Sequence, residues 1–409
     1  MENSNLIARQ PILNKLEEIV AYELLFRCPR SLSSALVTDA TKASASVIVN
    51  TLSNFGVSDI LGGQRGFINV DSDLVMNESI ELLPVEQIGL ELLEGVEVTP
   101  QLIERCRELK AMGCRLALDD HDYSEAYEPL YDGIVDIIKL DIIKTPLEQL
   151  YKDVERLKRF PVKLLAEKVD SRAVYLRCRG MGFELFQGYF FARPSLIQKR
   201  RLEDSVNTMF ELMNKLNCDA SLEDIEESFK KSPALTYKLL LLVNSVSIGL
   251  REKIRTVRHA ITIIGMSNLK KWVQLAIFAA EDSRGLANPV LDMAAVRAAL
   301  MENLALIHQG LNLFRCAPEQ AFMVGILSVL LDFYDMCMDE VENKLNISEP
   351  IRNALCSREG KLGQLLELTE LLEQGAVDEA EARFSEFGLT LADVQECQMK
   401  AYKWRNGLV

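Results

Sequence analysis

The sequence lacks the features that mark several common classes of protein. None of its nine cysteines forms a Cys-x-x-Cys pair, so the cysteines do not indicate a metal-binding motif. The amino terminus lacks the basic and apolar regions of a secretory signal peptide, and no stretch approaches the ~20 apolar residues of a membrane helix. We therefore expect reduced thiols and a cytoplasmic location.

Positive charge is also scarce, because 46 Lys and Arg residues face 60 Asp and Glu residues, for a net charge of −14. An acidic surface repels phosphate backbones and anionic lipids, so we expect neither nucleic-acid polymers nor membranes as partners. A small anionic ligand would need metal ions or a few basic side chains placed at its site. The 48% of hydrophobic residues argues against general disorder, and 409 residues exceed the usual size of one hydrophobic core.

The pattern of predicted elements changes once along the chain. Residues Leu6–Leu13 and Ile19–Phe26 are predicted to form a hairpin, and alternating strands and helices follow up to Arg193-Pro194. The strands are short apolar runs, which are typical of a parallel sheet covered by helices, and no Gly-x-Gly-x-x-Gly motif favours a dinucleotide-binding sheet. Only helical patterns occur afterwards. We predict an α/β TIM-like barrel over residues 1–197 and an all-α domain over residues 198–409.

Most predicted strands of the barrel carry a charged or amide side chain inside an apolar run. These residues are Glu23, Asn69, Glu91, Asp119, Asp120, Lys139, Asp141, Glu167 and Gln187. One polar residue at a strand end is usually just solvated, but strand ends of a barrel meet at one mouth, so the set predicts a common site. Converging carboxylates repel one another unless cations intervene, and oxygen ligands of this kind suit Mg²⁺ or Mn²⁺.

Short motifs around these residues resemble, in order, those of the EAL phosphodiesterase family. The motifs are Tyr22-Glu23-Leu24-Leu25-Phe26-Arg27, Phe67-Ile68-Asn69-Val70, Leu90-Glu91-Leu92-Leu93-Glu94, Asp119-Asp120, Lys139-Leu140-Asp141, Ala166-Glu167-Lys168-Val169-Asp170 and Gln187-Gly188-Tyr189. The resemblance covers residues 6–195. It implies that the barrel is of the EAL type, that its ligand is cyclic di-GMP, and that one phosphodiester bond is hydrolysed to give linear pGpG.

The resemblance also implies a role for each residue of the site. Two ions, Mg²⁺ or Mn²⁺, would be bound, the first by Glu23, Asn69, Glu91 and Asp119. Asp120 and Glu167 would serve the second ion or the attacking water, and Lys139 would orient that water or stabilise developing charge. Arg27 would bind a phosphate oxygen, and Gln187 would contact either a metal-binding side chain or the ligand. The sequence does not identify the general base.

Two departures from the family's motifs leave the activity open. The family's Phe-Gly-Thr-Gly loop after the aspartate pair is replaced by residues 121–126, which contain no glycine, and Lys168 replaces a glycine. Three hypotheses therefore remain: a phosphodiesterase, a catalytically inactive cyclic di-GMP receptor, and a scaffold that acts through protein contacts alone. Related barrels pair near this loop, so a homodimer is possible.

The helical half resembles the HDOD family over residues 205–340. The matching motifs are Ser232-Pro233-Ala234-Leu235, Ile254-Arg255-Thr256-Val257 and Ala321-Phe322-Met323-Val324-Gly325-Ile326-Leu327. Ser328-Val329 stands where the related HD hydrolases have their His-Asp pair, and this half contains only His259 and His308. A metal site is therefore not expected here, and the resemblance implies a regulatory or output module that binds protein partners.

Overall fold

The chain divides by its internal contacts into two units. Met1–Arg193 and Leu371–Met399 form the first unit, and Pro194–Glu370 and Lys400–Val409 form the second. The computed structural model describes residues 6–27, 56–190, 204–218, 220–230, 257–279, 288–310, 317–334, 338 and 347–407. The predicted boundary after residue 197 lies outside these ranges and stays a prediction.

Eight strands of the first unit close into a barrel in sequence order. They are β1 Leu6–Asn14, β2 Ile19–Arg27, β3 Arg65–Val70, β4 Ile88–Leu92, β5 Leu116–Leu118, β6 Ile137–Asp141, β7 Lys163–Glu167 and β8 Leu185–Gln187. Strand β1 is antiparallel to both of its neighbours, β2 and β8, and the remaining neighbours are parallel. The predicted TIM-like barrel with an initial hairpin is confirmed.

The hairpin turn is closed by the side chain of Asn14. Its Oδ1 accepts hydrogen bonds from the backbone N–H groups of Leu16 at 2.8 Å and Glu18 at 3.0 Å. Asparagine favours such turns because its side chain can substitute for a backbone partner. The turn predicted at Asn14-Lys15 therefore forms as expected.

Within the described part of the barrel, six helices of at least one turn connect the strands. They are α1 Val57–Leu61, α2 Ser72–Val75, α3 Pro100–Ala111, α4 Glu128–Tyr131, α5 Leu147–Leu157 and α6 Arg172–Met181, with 3₁₀ turns at Glu78–Leu82 and Glu125–Tyr127. The predicted start of α3 is confirmed, because Thr99 accepts a hydrogen bond from the N–H of Leu102 and Pro100 opens the helix. The helix predicted over Asp39–Leu52 lies outside the described residues.

Several apolar runs of the sequence predict longer strands than the structure contains. The run Phe186–Phe191 gives only Leu185–Gln187, and β5 and β7 also end early. The run Arg115–Asp120 gives only Leu116–Leu118, and Val162–Val169 gives only Lys163–Glu167. Asp120 and Lys168, just beyond these strands, adopt φ values of 44° and 58°. A residue in the left-handed backbone conformation cannot continue a strand, so the chain turns after β5 and after β7 at the mouth of the barrel.

Apolar side chains fill the interior of the barrel. The buried interior cluster consists of Ile12, Ala21, Phe67, Ala117, Leu165 and Leu185, with Val20 and Ile137 packed against it. Phe67 occupies the space beside Gly89, where a Cβ would lie 2.6 Å from the ring. The interior is therefore a packed core, and a ligand can reach the barrel only at an end.

The described chain after the barrel is helical, as predicted. Its helices are α7 Asp204–Asn217, α8 Leu222–Lys230, α9 Val257–Ala279, α10 Pro289–Gly310, α11 Pro318–Tyr334, α12 Glu349–Ser357, α13 Gly360–Glu373, α14 Val377–Glu386 and α15 Leu391–Asn406. Helix α9 breaks at Gly265, which has φ 77° and ψ 159°, between the two helices that the sequence predicts there. In the described ranges, no helix has the length and apolarity needed to cross a membrane. The helix predicted at Leu235–Val243 lies outside those ranges.

Helices α10 and α11 of the second unit approach each other closely. A Cβ on Gly325 would lie 2.6 Å from the Cα of Ala298, so only glycine permits this contact. The buried Arg297 donates a hydrogen bond to Ser328 Oγ at 3.0 Å. The hydroxyl group of Ser328 is therefore held by a guanidinium group inside the helical unit.

Candidate active site

A layer of polar side chains lies directly above the apolar interior of the barrel. Side chains alternate across a strand, so residues two positions apart share a face. The interior residues Ala21, Phe67, Gly89, Ala117, Ile137, Leu165 and Leu185 are followed, two positions later, by Glu23, Asn69, Glu91, Asp119, Lys139, Glu167 and Gln187. The structure thus brings these predicted site residues together at the carboxyl ends of the parallel strands.

The ammonium group of Lys139 lies at the centre of this layer. Its Nζ is 3.0 Å from Glu23 Oε2 and 3.0 Å from Glu91 Oε2. It is also 2.6 Å from Asp119 Oδ1 and 2.9 Å from Glu167 Oε1. Lys139 is only 1% exposed, so these charges interact with little solvent screening. One positive charge thus faces four carboxyl groups, and the cluster favours a further cation.

Two amide side chains also donate hydrogen bonds to Glu23. Gln187 Nε2 donates to Glu23 Oε2 at 2.7 Å and to Gln10 Oε1 at 2.9 Å. Asn69 Nδ2 donates to Glu23 Oε1 at 3.1 Å. Sequence analysis missed Gln10, although it lies directly opposite Glu23 in the β1–β2 hairpin register and could have been found from that pairing.

The pKa values of the acidic groups in this cluster shift in different directions. Burial, together with the charges of Glu23 and Asp119, outweighs the attraction of Lys139 and raises the pKa of Glu91 to about 8. Burial likewise raises the pKa of Glu167 to about 8 against the attraction of Lys139. Burial would also raise the pKa of Glu23, but Lys139 and the two amide donors lower it overall. The negative charges around it raise the pKa of Lys139 well above its usual value despite its burial.

The oxygen atoms of the layer fit a divalent metal ion in kind. Asn69 Oδ1 and Glu167 Oε2 are buried and accept no hydrogen bond. Buried acceptors normally have partners, and carboxylate and amide oxygens are ligands that Mg²⁺ and Mn²⁺ prefer. As the side chains stand, the carboxylates point toward Lys139, and within the described ranges no three acidic, histidine or cysteine side chains are arranged as a metal site. An ion would therefore share these carboxylates with Lys139.

Asp120, Asp141 and Lys168 form a second charged group at the mouth. Lys168 Nζ pairs with Asp141 Oδ2 and lies 3.8 Å from Asp120 Oδ1. Asp141 also accepts hydrogen bonds from the N–H groups of Ile143 at 2.8 Å and Lys144 at 3.0 Å. These donors and Lys168 lower the pKa of Asp141 against the opposing effect of burial. The sequence shows only that a lysine replaces a glycine at position 168; the structure directs that lysine toward the mouth.

The loop that replaces the family's glycine-rich segment is packed by aromatic side chains. His121 is buried, and its Nε2 lies 2.5 Å from the hydroxyl group of Tyr131. The same hydroxyl group donates to the carbonyl oxygen of Ser124 at 3.2 Å. Burial lowers the pKa of His121 to about 4, so the imidazole is neutral near pH 7. Its backbone N–H donates to Lys139 O at 2.8 Å, which attaches the loop directly to β6.

Two further motif residues bound the mouth. Gly188 has φ 140°, and a Cβ there would lie 2.1 Å from the carbonyl oxygen of Val169, so the close approach of β8 to the segment after β7 requires glycine. Arg27 is the last residue of β2, and its side chain lies outside the described part of the chain. The predicted phosphate contact of Arg27 therefore stays a prediction.

Comparisons with known proteins match both halves of the chain. The family model of the EAL domain matches residues 8–194, and that of the HDOD domain matches residues 201–350. The cyclic di-GMP phosphodiesterase CdgJ of Vibrio cholerae is 32% identical over 402 residues, which are 97% of this chain and 91% of CdgJ. The uncharacterized protein YuxH of Bacillus subtilis is 30% identical over 413 residues, 98% of each chain. A solved structure of a standalone EAL protein from Vibrio cholerae O395, with cyclic di-GMP bound, is 24% identical and covers 48% of this chain and 94% of its own, with a TM-score of 0.37.

Proposed function

Because the chain belongs to the family of proteins that join an EAL domain to an HDOD domain and act in cyclic di-GMP signalling, we propose that its barrel hydrolyses cyclic di-GMP to linear pGpG with a divalent metal ion. One observation carries this proposal. Every side chain that the EAL motifs assign to the first ion lies in the polar layer around Lys139. Three buried glutamates and the partly buried Asp119 around one lysine are costly as a purely structural device, and a catalytic cation accounts for them.

Glu23, Asn69, Glu91 and Asp119 would hold the first ion, Mg²⁺ or Mn²⁺, through carboxylate and amide oxygens. The family resemblance implies a second ion beside Asp120 and Glu167. A bound divalent ion lowers the pKa of water and stabilises negative charge on phosphate oxygens. The excess of carboxyl groups over the single ammonium of Lys139 supports this assignment, because a cation relieves their repulsion.

The side chains of the layer supply the remaining functions. Lys139 is fixed by four carboxyl groups, so its ammonium can stabilise charge that develops on a phosphate oxygen. Glu167 Oε1 lies 2.9 Å from Lys139 Nζ, and burial raises the pKa of Glu167 to about 8, which suits it to accept a proton from water near neutral pH. Gln187 orients Glu23, and Arg27 would bind a phosphate of the ligand.

Product analysis with matched variants tests this proposal. Full-length protein is incubated with cyclic di-GMP and Mn²⁺ or Mg²⁺, and pGpG is measured by chromatography. We expect Glu23→Gln to lower the rate about 100-fold or more, since a metal ion contributes several kcal/mol to catalysis. The control Glu184→Gln removes a carboxylate at the opposite end of β8 and should leave the rate unchanged.

Catalytically inactive binding of cyclic di-GMP is the second candidate function. The observation that favours it is the loop around His121, which is fixed by the Tyr131 hydroxyl group and contains no glycine. Saturable binding of cyclic di-GMP without pGpG formation would support the receptor. Absence of both binding and product would leave the scaffold hypothesis.

For the helical unit we propose protein partners rather than catalysis. The family resemblance places Ser328 where HD hydrolases carry a metal ligand, and the buried Arg297 donates to its hydroxyl group at 3.0 Å, so a guanidinium group there disfavours a cation. His259 is exposed on α9, and the side chain of His308 lies outside the described residues. The cytoplasmic location and the possible homodimer stay predictions and belong to this proposal.

A further inference from the structure

We propose that Lys168 supplies the positive charge on the Asp120 side of the mouth and that the barrel therefore binds one divalent ion tightly instead of two. This inference rests on the proposed function, since it concerns the metal ions of the same site. It differs from what the EAL motifs imply, because those motifs carry a glycine where this chain has Lys168.

The ammonium group of Lys168 lies close to two aspartates at the mouth of the barrel. Its Nζ pairs with Asp141 Oδ2 and lies 3.8 Å from Asp120 Oδ1. Asp120 is, with Glu167, one of the two residues that the motifs assign to the second ion or the attacking water. Asp120 Oδ1 is buried, and among the described ion pairs Lys168 is the cation beside it. A divalent ion bound to this oxygen would be repelled by the ammonium group beside it.

The backbone at the mouth supports a specific role for this lysine. Four non-glycine residues of the described chain have positive φ, and two of them, Asp120 and Lys168, are these ion-pair partners. The left-handed region is unfavourable for a residue with a Cβ, and such strain persists where surrounding contacts compensate for it. The contacts of Lys168 with the two aspartates provide that compensation, whereas a glycine would adopt the same backbone without strain.

The two lysines at the mouth pair with different carboxyl groups. Lys139 contacts the four carboxyl groups of the first group, Glu23, Glu91, Asp119 and Glu167, and leaves an excess of negative charge there. Asp141 has both oxygens engaged, one by the N–H groups of Ile143 and Lys144 and the other by Lys168. Lys168 therefore neutralises part of the negative charge of Asp120 and Asp141. The uncompensated negative charge that would attract a metal ion lies around Lys139.

Counting bound Mn²⁺ in the full-length protein tests the inference without reference to activity. Free Mn²⁺ is measured by electron paramagnetic resonance during titration of wild type, Lys168→Gly, Lys168→Gln and Lys144→Gln. Lys168→Gly permits the φ of 58°, and Lys168→Gln removes the charge while it keeps a long side chain. Lys144→Gln is the charge-matched control, because Lys144 is an exposed lysine near the mouth that pairs with Glu94 at 2.6 Å.

We expect one tightly bound Mn²⁺ per chain in wild type and in Lys144→Gln, and two in both Lys168 variants. Two ions in wild type, or one ion in every variant, would overturn the inference. A second ion in Lys168→Gly alone would also overturn it, since the space and not the charge would then be limiting. The proposed function fails separately, if wild type with one bound ion forms no pGpG from cyclic di-GMP.

Discussion

Replacing Lys139 by methionine removes the only ammonium group that the described structure places inside the polar layer. Methionine keeps an unbranched side chain of similar length, so the change is mainly one of charge. The four carboxyl groups that lie 2.6–3.0 Å from Nζ would lose their common partner. Removing one partner of a buried ion pair typically costs about 3–5 kcal/mol, because it leaves charge uncompensated. Glu91 and Glu167 have pKa values of about 8 and are already largely protonated near pH 7, which limits the cost to this range.

The loss is large compared with the roughly 5–15 kcal/mol that stabilises a typical domain. With a urea dependence of about 1–3 kcal/mol per molar, the unfolding midpoint of the barrel in EDTA should fall by more than about 1 M. Both tryptophans lie in the second unit, so their fluorescence does not report on the barrel. Hydrogen-exchange mass spectrometry of peptides from β4 and β6 follows the barrel directly.

The control for this change is Lys163→Met, which removes an exposed lysine at the start of β7 and should leave the midpoint unchanged. Excess Mn²⁺ should stabilise Lys139→Met more than it stabilises wild type, because the ion replaces the missing positive charge. An ion at 100 times its dissociation constant adds about 2.7 kcal/mol. Equal midpoints for wild type and Lys139→Met in EDTA would refute the central role assigned to Lys139.

Two other predictions concern pH and the loop after β5. In EDTA the unfolding free energy of the barrel should fall as the pH rises from about 4.3 to 8. In the folded barrel the pKa values of Glu91 and Glu167 are raised to about 8, so both groups stay protonated up to that pH. In the unfolded chain they lose their protons at about pH 4.3. Between these pH values each group therefore lowers the unfolding free energy by up to about 1.4 kcal/mol per pH unit. Urea midpoints at pH 5 and pH 7.5 measure this, and a higher midpoint at pH 7.5 would contradict it. Tyr131→Phe should lower the unfolding free energy by about 1–2 kcal/mol and speed hydrogen exchange in the His121 loop, because it removes the hydroxyl group that contacts His121. The control Tyr151→Phe, at an exposed position of α5, should change neither quantity. Equal exchange in both variants would argue against the hydroxyl contact.

The convergence of the polar residues was predictable from the sequence because two simple periodicities determine it. Alternation along each strand places Glu23 above Ala21 and Asn69 above Phe67, and the barrel brings strand ends to one mouth. The hairpin was predictable for a similar reason, since Asn14 marks the turn between two apolar runs. Hydropathy and motif spacing carry this information directly.

The exact strand ends and the partners of the charged groups were not predictable in this way. Asp120 and Lys168 adopt left-handed backbone although neither is glycine, so the apolar runs overestimate β5 and β7. The family resemblance implies that Lys139 orients a water molecule or stabilises developing charge, but not that it contacts four carboxyl groups. Its central position depends on which side chains point into the barrel at the same height. Gln10 escaped notice because a glutamine in a hairpin carries no signal until the register with Glu23 is known.

Metal-dependent turnover by the wild-type protein is the most direct test of the account. Full-length protein is incubated with cyclic di-GMP in Mn²⁺ and, in parallel, in EDTA, and the nucleotides are separated by chromatography over time. The account predicts that linear pGpG accumulates with Mn²⁺ while cyclic di-GMP stays intact in EDTA. Intact cyclic di-GMP in both samples would contradict hydrolysis by this barrel.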